Sequence, residues 1–304
     1  MATIESNAVK KEDVSRETSE EKPVEIEVKE ETVEKTEEKY DIRKVVSPAR
    51  PHLFTNESGY HVLNLAEDGF RYDYDTLKMG DTVAFCAAIS EPSVCANQFE
   101  VALRVNVTST GDFIYEALKR GCKVIFLSSD AVYGNVLGAF DEEQKTSPRG
   151  AYAEMKAIIE KRFIGYPLFK LLRLSYNFFK DDRFTQYLRK CEKEGSPAEI
   201  FDPFSRSVVH RDDTVDAIIS LHNNWDVCEE SVINCGGPET LSRVELANIL
   251  KDTALTNLKT KVVTPGEKFY EDRPAVVAMR SPFLEKVLGR PARSIVDAVT
   301  LEFV

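Results

Sequence analysis

Three residues with types and spacing suited to proton chemistry lie between Val124 and Lys156. The run V-I-F-L-S-S-D-A-V-Y-G (Val124–Gly134) is followed, after an acidic turn, by Y-A-E-M-K (Tyr152–Lys156). Tyr152 and Lys156 are four residues apart, so on a helix the phenol and the ammonium share one face. Ser129 stands at the C-terminal tip of the apolar run, 23 residues before Tyr152. A free phenol ionises near pH ~10 and is a poor base at neutrality. A lysine one helical turn away favours the phenolate by charge proximity. Tyr152 could then give or take a proton on one carbonyl or carbinol whose oxygen Ser129 orients. A Y-x-x-x-K pair alone is also what any helix with a half-buried tyrosine and a solvated lysine carries. The preceding Ser129 and the turn at Gly134 give this one its weight.

The elements around these residues read as alternating strands and helices. Thr82–Ala88 and Lys123–Leu127 are apolar runs of strand length, and Leu168–Leu174 is a third. Between them, residues 97–119 form a helical pattern with Phe99, Leu103, Val107, Phe113 and Leu118 as core candidates, and Ala151–Phe163 forms another. Such an order makes βαβ units, an α/β fold with a Rossmann-like, doubly wound parallel sheet, and ligands bind beyond the carboxyl ends of its strands. Ser129 is at one such end, and Ser90 and Asn177 are near two others.

Residues 175–304 change to shorter elements and read as a smaller α/β part. Val208–His210 is a strand, Asp212-Asp213 opens a helix over Thr214–Leu221, and Phe184–Cys191 is a helix before them. Val232–Cys235 is a short strand, and Ser242 with Glu245 is a capping box for Arg243–Leu250. Helices are expected near Pro282–Leu288 and Ser294–Leu301. Upstream, Val45-Val46, Tyr60–Leu65 and Phe70–Asp73 are possible short strands broken by Pro48, Pro51, Gly59 and Gly69.

Charge divides the chain. Of the net charge of -11 over 304 residues, residues 1–40 hold 13 acidic and 7 basic side chains, or -6. That stretch has no glycine and no sustained apolar stripe, so a disordered acidic tail at 1–40 ahead of a folded domain at 41–304 is expected. The remaining -5 and the lack of a basic cluster argue against nucleic acid as partner. Six cysteines without a C-x-x-C pair suit free thiols in a reducing compartment rather than disulfides or a metal site. No run reaches the ~18 apolar residues of a membrane span, and a cytoplasmic location is expected.

Several segments together resemble the extended short-chain dehydrogenase/reductases, nearest to their 4-dehydrorhamnose reductase and sugar-nucleotide epimerase branch. They are F-C-A-A-I-S (Phe85–Ser90), R-V-N-V-T-S-T (Arg104–Thr110), F-L-S-S-D-A-V-Y-G, Y-A-E-M-K, L-L-R-L-S-Y-N (Leu171–Asn177), R-S-V-V-H-R-D-D (Arg206–Asp213), N-C-G-G-P-E-T-L-S-R-V-E-L-A (Asn234–Ala247) and Arg273-Pro274. The resemblance implies hydride transfer between NAD or NADP and a nucleotide-linked sugar, with Ser129, Tyr152 and Lys156 as the catalytic set and the oxidised nicotinamide adding positive charge beside Tyr152. It implies that Lys156 also holds the nicotinamide ribose, that Ala87 and Ala88 line the cofactor groove, and that Asp73 faces the adenine. Asn106 takes a structural or proton-relay role. The resemblance places substrate binding mainly in 175–304, with Ser90, Asn177, Arg206 and Arg273 on the substrate side and Arg206 at the position that contacts phosphates. A homodimer through the helices 97–119 and 151–163 is implied as well. Reductase and epimerase both begin with hydride transfer and stay open, as does NAD against NADP, although Ala66-Glu67-Asp68 favours a ribose hydroxyl over a phosphate by charge.

One family feature is missing. No glycine precedes Gly59, and no G-x-G-x-x-G occurs anywhere. The bare backbone of that turn normally lets a pyrophosphate approach a helix N-terminus. Residues 41–59 supply two prolines and bulky side chains instead, with Arg50 and His52 as candidate phosphate contacts. A second expectation follows: a family member without turnover that binds a sugar nucleotide or regulates a partner enzyme, as some relatives of the reductase branch do.

Overall fold

The computed structural model describes the backbone of Val45–Val46 and residues 61–134 and 138–303, with side chains from Leu63 onward. The tail at 1–40 and the segment with Arg50 and His52 lie outside the described residues. Val45–Val46 (β1) pairs in parallel with His61–Val62 (β2). Thr82–Phe85 (β3) follows after a 3-10 turn at Tyr74–Thr76. The strand expected at 70–73 is therefore absent: Asp73 caps the turn, its carboxylate accepting from Asp75 N at 3.2 Å.

The single long helix expected at 97–119 is a series of pieces. Pro92–Asn97 (α1) starts with proline at its first position, where a missing N–H costs nothing. Phe99–Leu103 (α2), a π-helical turn at Arg104–Ser109 and Thr110–Lys119 (α3) complete it. Phe99 is 45 % exposed, so it is no core residue, whereas Phe113 is buried. The break at Gln98 rotates the faces of α1 and α2 out of one periodicity.

Next come Lys123–Ser129 (β4), Ala139–Phe140 (β5), Ala151–Phe163 (α4), Phe169–Leu174 (β6) and Tyr176–Phe178 (β7). Arg183–Glu194 (α5), Ala198–Phe201 (β8), Ser205–His210 (β9), Arg211–Asn223 (α6) and Val232–Cys235 (β10) follow. The His210 side chain, accepting from Asp212 N, caps α6, so that helix starts at Arg211, ahead of the expected Thr214, and the acidic pair lies within its first turn. The chain ends with Thr240–Ser242 (β11), Arg243–Thr253 (α7), Thr260–Val263 (β12), Glu267–Glu271 (α8), Val276–Met279 (β13), Pro282–Leu288 (α9) and Ile295–Phe303 (α10). The capping box of Ser242 and Glu245 on α7 is present.

β10, β6, β4 and β3 form a parallel sheet in that order. Its residues alternate between two cores, as a strand period of two requires. Val124, Phe126, Phe169 and Leu171 pack with Phe113 and Ile114 of α3 and Ile159 and Phe163 of α4. Ile125, Leu172, Ile233 and Cys235 pack on the other face with Ala217 and Leu221 of α6 and Leu284 of α9. Each such fully buried side chain contributes roughly 1.5–3 kcal/mol. A sheet covered by helices on both faces is the doubly wound α/β architecture expected. β3 ends at Phe85, where its pairing with Phe126 ends, so Cys86–Ala88 leave the sheet three residues early.

The C-terminal part builds a second arrangement, β11-β9-β13-β5 with β7 on β9, and a separate β12-β8 pair. All six cysteines are free thiols. Among the described residues no helix is long and apolar enough to cross a membrane, and no cluster of His, Cys, Asp and Glu could hold a metal ion.

Candidate active site

Helix α4 carries Tyr152, Lys156 and Glu160 at intervals of four, a polar row on its sheet-facing side. Each member meets a different residue of the β4 tip. Glu160 accepts from Ser128 Oγ and is paired with Arg173 Nη2 at 2.9 Å, the two side chains 3 % and 5 % exposed. Lys156 Nζ donates to Leu127 O at 2.7 Å and stands 4.5 Å from the Phe126 ring centre. Tyr152 lies close enough to Ser129 for the serine hydroxyl to favour its ionisation. Strand and helix thus bring the predicted Ser129, Tyr152 and Lys156 together.

Gly150 permits the approach at the start of α4. Its φ of +82° suits glycine, and a Cβ there would lie 2.9 Å from Asp272 Cα. Gly134 closes the preceding loop at φ +70°, with Ser147 O where its Cβ would be.

The electrostatics differ from the expectation. Burial pushes Tyr152 up to about 12; the Ser129 hydroxyl opposes this and the Asp130 charge adds to it. Burial pushes Lys156 down to about 8, against the pull of Cys86 and Glu160. The Lys156 ammonium is 5.9 Å from the Tyr152 ring centre and directed at a backbone carbonyl, so it does not create a phenolate here. Desolvation outweighs charge proximity, and Tyr152 is a neutral phenol at pH 7.

Asp130 is a site residue that motif reading passed over. It follows Ser129, is 6 % exposed, and receives hydrogen bonds from Ser129 Oγ at 3.2 Å and Ser175 Oγ at 2.8 Å. Arg206 Nε lies 3.4 Å from it, while the other nitrogens of that guanidinium hold the carbonyls of Ser205, Pro274 and Ala275. Burial raises the Asp130 carboxyl, and Arg206 opposes that shift. An aspartate directly after the Ser128-Ser129 end of an apolar strand was the available signal.

The other predicted residues are more dispersed. Asn177 Oδ1 accepts from Thr214 Oγ1 at 3.1 Å. Arg273 is ion-paired with Glu91, the neighbour of exposed Ser90. Asn106, inside the π-helical turn, binds both backbone groups of Ile89, receiving N–H at 2.8 Å and donating to O at 2.9 Å. It thereby fixes the chain that leaves Ala87 and Ala88. Asp73 is exposed and engaged only in its own turn. A cleft of about 280 Å³ lies nearby, lined by Glu67, Asp68, Tyr74, Glu100, Arg104 and Asp112 among others and by none of Ser129, Tyr152 or Lys156. Its four carboxylates against one arginine suit hydroxyl groups better than phosphate.

The described residues fit a nicotinamide dinucleotide at the end where Tyr152 and Lys156 meet β4. Ala87 and Ala88 present small side chains beyond β3. Lys156 uses one carbonyl partner, and an ammonium has three donors.

Comparison with known proteins agrees with this architecture. MoeE5 in complex with UDP-glucose and NAD matches with a TM-score of 0.69 at 19% identity, over 90% of this chain and 93% of that one. The UDP-glucose 4-epimerase of Thermotoga maritima with UDP-glucose gives 0.68 at 16% identity, over 89% and 93%. Among curated proteins, methionine adenosyltransferase 2 subunit beta of Rattus norvegicus is 33% identical over 79 residues, 26% of this chain. That match spans 24% of the length of the relative. The model of the RmlD substrate binding domain matches residues 73–301, and the chain belongs to that family.

Proposed function

We propose that this protein is an NAD- or NADP-dependent reductase of a nucleotide-linked keto sugar, working in the cytoplasm, where its free thiols stay reduced. The observation that carries this reading is the Ser129–Tyr152 pair with Tyr152 kept neutral by burial. A phenol that retains its proton is the donor a carbonyl oxygen needs as it becomes a hydroxyl. Ser129 orients that oxygen from the β4 tip. Lys156, charged below about pH 8, offers its remaining N–H groups to ribose hydroxyls. Ala87 and Ala88 line the cofactor groove, and Asp73 lies towards its adenine end. A bound reduced nicotinamide would supply the hydride. Arg206 and Arg273 take the phosphates of the substrate, with Ser90 and Asn177 beside the sugar. The UDP-glucose and NAD named with MoeE5 support this choice of ligands. Epimerisation remains the alternative outcome of the same hydride chemistry. Exposed Phe99, Tyr115 and Ile158 support a homodimer through α2, α3 and α4.

Absorbance of NADH or NADPH, followed with 4-keto sugars linked to UDP or dTDP, tests the reading. Turnover that disappears in Tyr152→Phe is expected. Absence of dinucleotide binding by calorimetry at millimolar cofactor overturns it.

A second reading is a regulatory subunit. The match to a protein named as a subunit and the lack of glycine before Gly59 favour it. Thermal stabilisation by nucleotide sugars and none by dinucleotides would select it.

A further inference from the structure

Glu91 holds two arginines at the edge of the site. Its Oε1 is paired with Arg273 Nη2 and its Oε2 with Arg183 Nη1 at 3.2 Å, while Ser93 Oγ donates to it at 3.1 Å. Arg273 is further fixed by the Phe269 ring, 5.0 Å away. The adjoining Asp272 packs on Gly150, two residues before Tyr152. The segment from α8 to Arg273 therefore spans from the first turn of the catalytic helix to the loop after β3.

We propose that Glu91 is a competitor for Arg273 that keeps this strap closed until the diphosphate of a nucleotide ligand takes the arginine over. The inference rests on the reading of Arg273 as a phosphate contact. A diphosphate carries more charge and more acceptor oxygens than one carboxylate, and so wins a guanidinium fork. Release is inexpensive for Glu91 because Arg183 remains as its cation. That arginine side chain is 80% exposed. Glu91 thus sets the ligand affinity of the pocket without touching the ligand. The apparent dissociation constant is the intrinsic one divided by the fraction of molecules with Arg273 free.

Calorimetry with UDP and dTDP on the full chain, paired with hydrogen exchange of residues 267–273, tests the latch. Glu91→Gln is expected to tighten nucleotide binding by about threefold or more, and to speed exchange of the strap without ligand. Arg183→Gln should weaken binding, since Glu91 then loses its remaining cation on release. Unchanged affinity or unchanged exchange in Glu91→Gln overturns the proposal, as does Arg273→Gln binding UDP as well as wild type. Tighter UDP binding in Glu91→Gln from a protein that never oxidises NADH or NADPH supports the latch and removes only the reductase reading.

Discussion

Arg206 reaches Asp130, the residue that follows Ser129, with Nε 3.4 Å from a carboxylate oxygen while Ser129 Oγ donates to the other at 3.2 Å. The expected phosphate contact and the expected catalytic hydroxyl thus share one buried anion. Asp130→Asn leaves Arg206 buried without its countercharge. Breaking such a pair costs about 3–5 kcal/mol. A fall in melting temperature accompanied by a lower kcat/KM is expected from thermal denaturation and the hydride assay. A variant as stable and as active as wild type would show that the link is idle.

Tyr152→Phe removes the proposed proton donor and leaves the packing of the ring. Hydride transfer should drop by roughly 10²–10⁴, with dinucleotide and UDP affinities within a factor of about two of wild type by calorimetry.

Lys156 gives a pH signature. Its folded value is near 8 and its ordinary value 10.5, so between those limits the unfolded chain binds a proton that the folded chain does not. Stability therefore rises with pH across that window. Below about pH 8 both states carry the proton, and the cost of burying the charge is constant. Lys156→Met should melt higher than wild type below pH 8, and the gap should shrink as pH approaches 10. Tyr152 acts in the opposite direction only above pH 10, since its folded value is near 12.

The Glu160–Arg173 pair is sealed between α4 and β6, with Ser128 and Tyr133 as further partners. Glu160→Gln should destabilise the fold by about 3–5 kcal/mol, read as a lower urea midpoint.

Asn106→Ala removes two hydrogen bonds to Ile89 and leaves those backbone groups unsatisfied, a loss of about 1–3 kcal/mol each. Faster amide exchange over residues 86–90 is the expected readout.

The local features were legible in the sequence because neighbours along the chain produce them. The apolar run of β4, the helix Ala151–Phe163 with its i, i+4 pair, the strand Val232–Cys235 and the capping box at Ser242 are each marked by the residue types of a few consecutive positions. Family resemblance added the convergence of Ser129 with Tyr152. Tertiary structure alone decided how the charges are partnered, because pairs such as Arg273 with Glu91 lie 182 residues apart. Burial likewise decided the protonation of Tyr152 and Lys156. The spacing of four predicts attraction between ammonium and phenolate, but the fold removes both groups from water and directs the lysine to Leu127 O, which reverses the expected direction for the phenol.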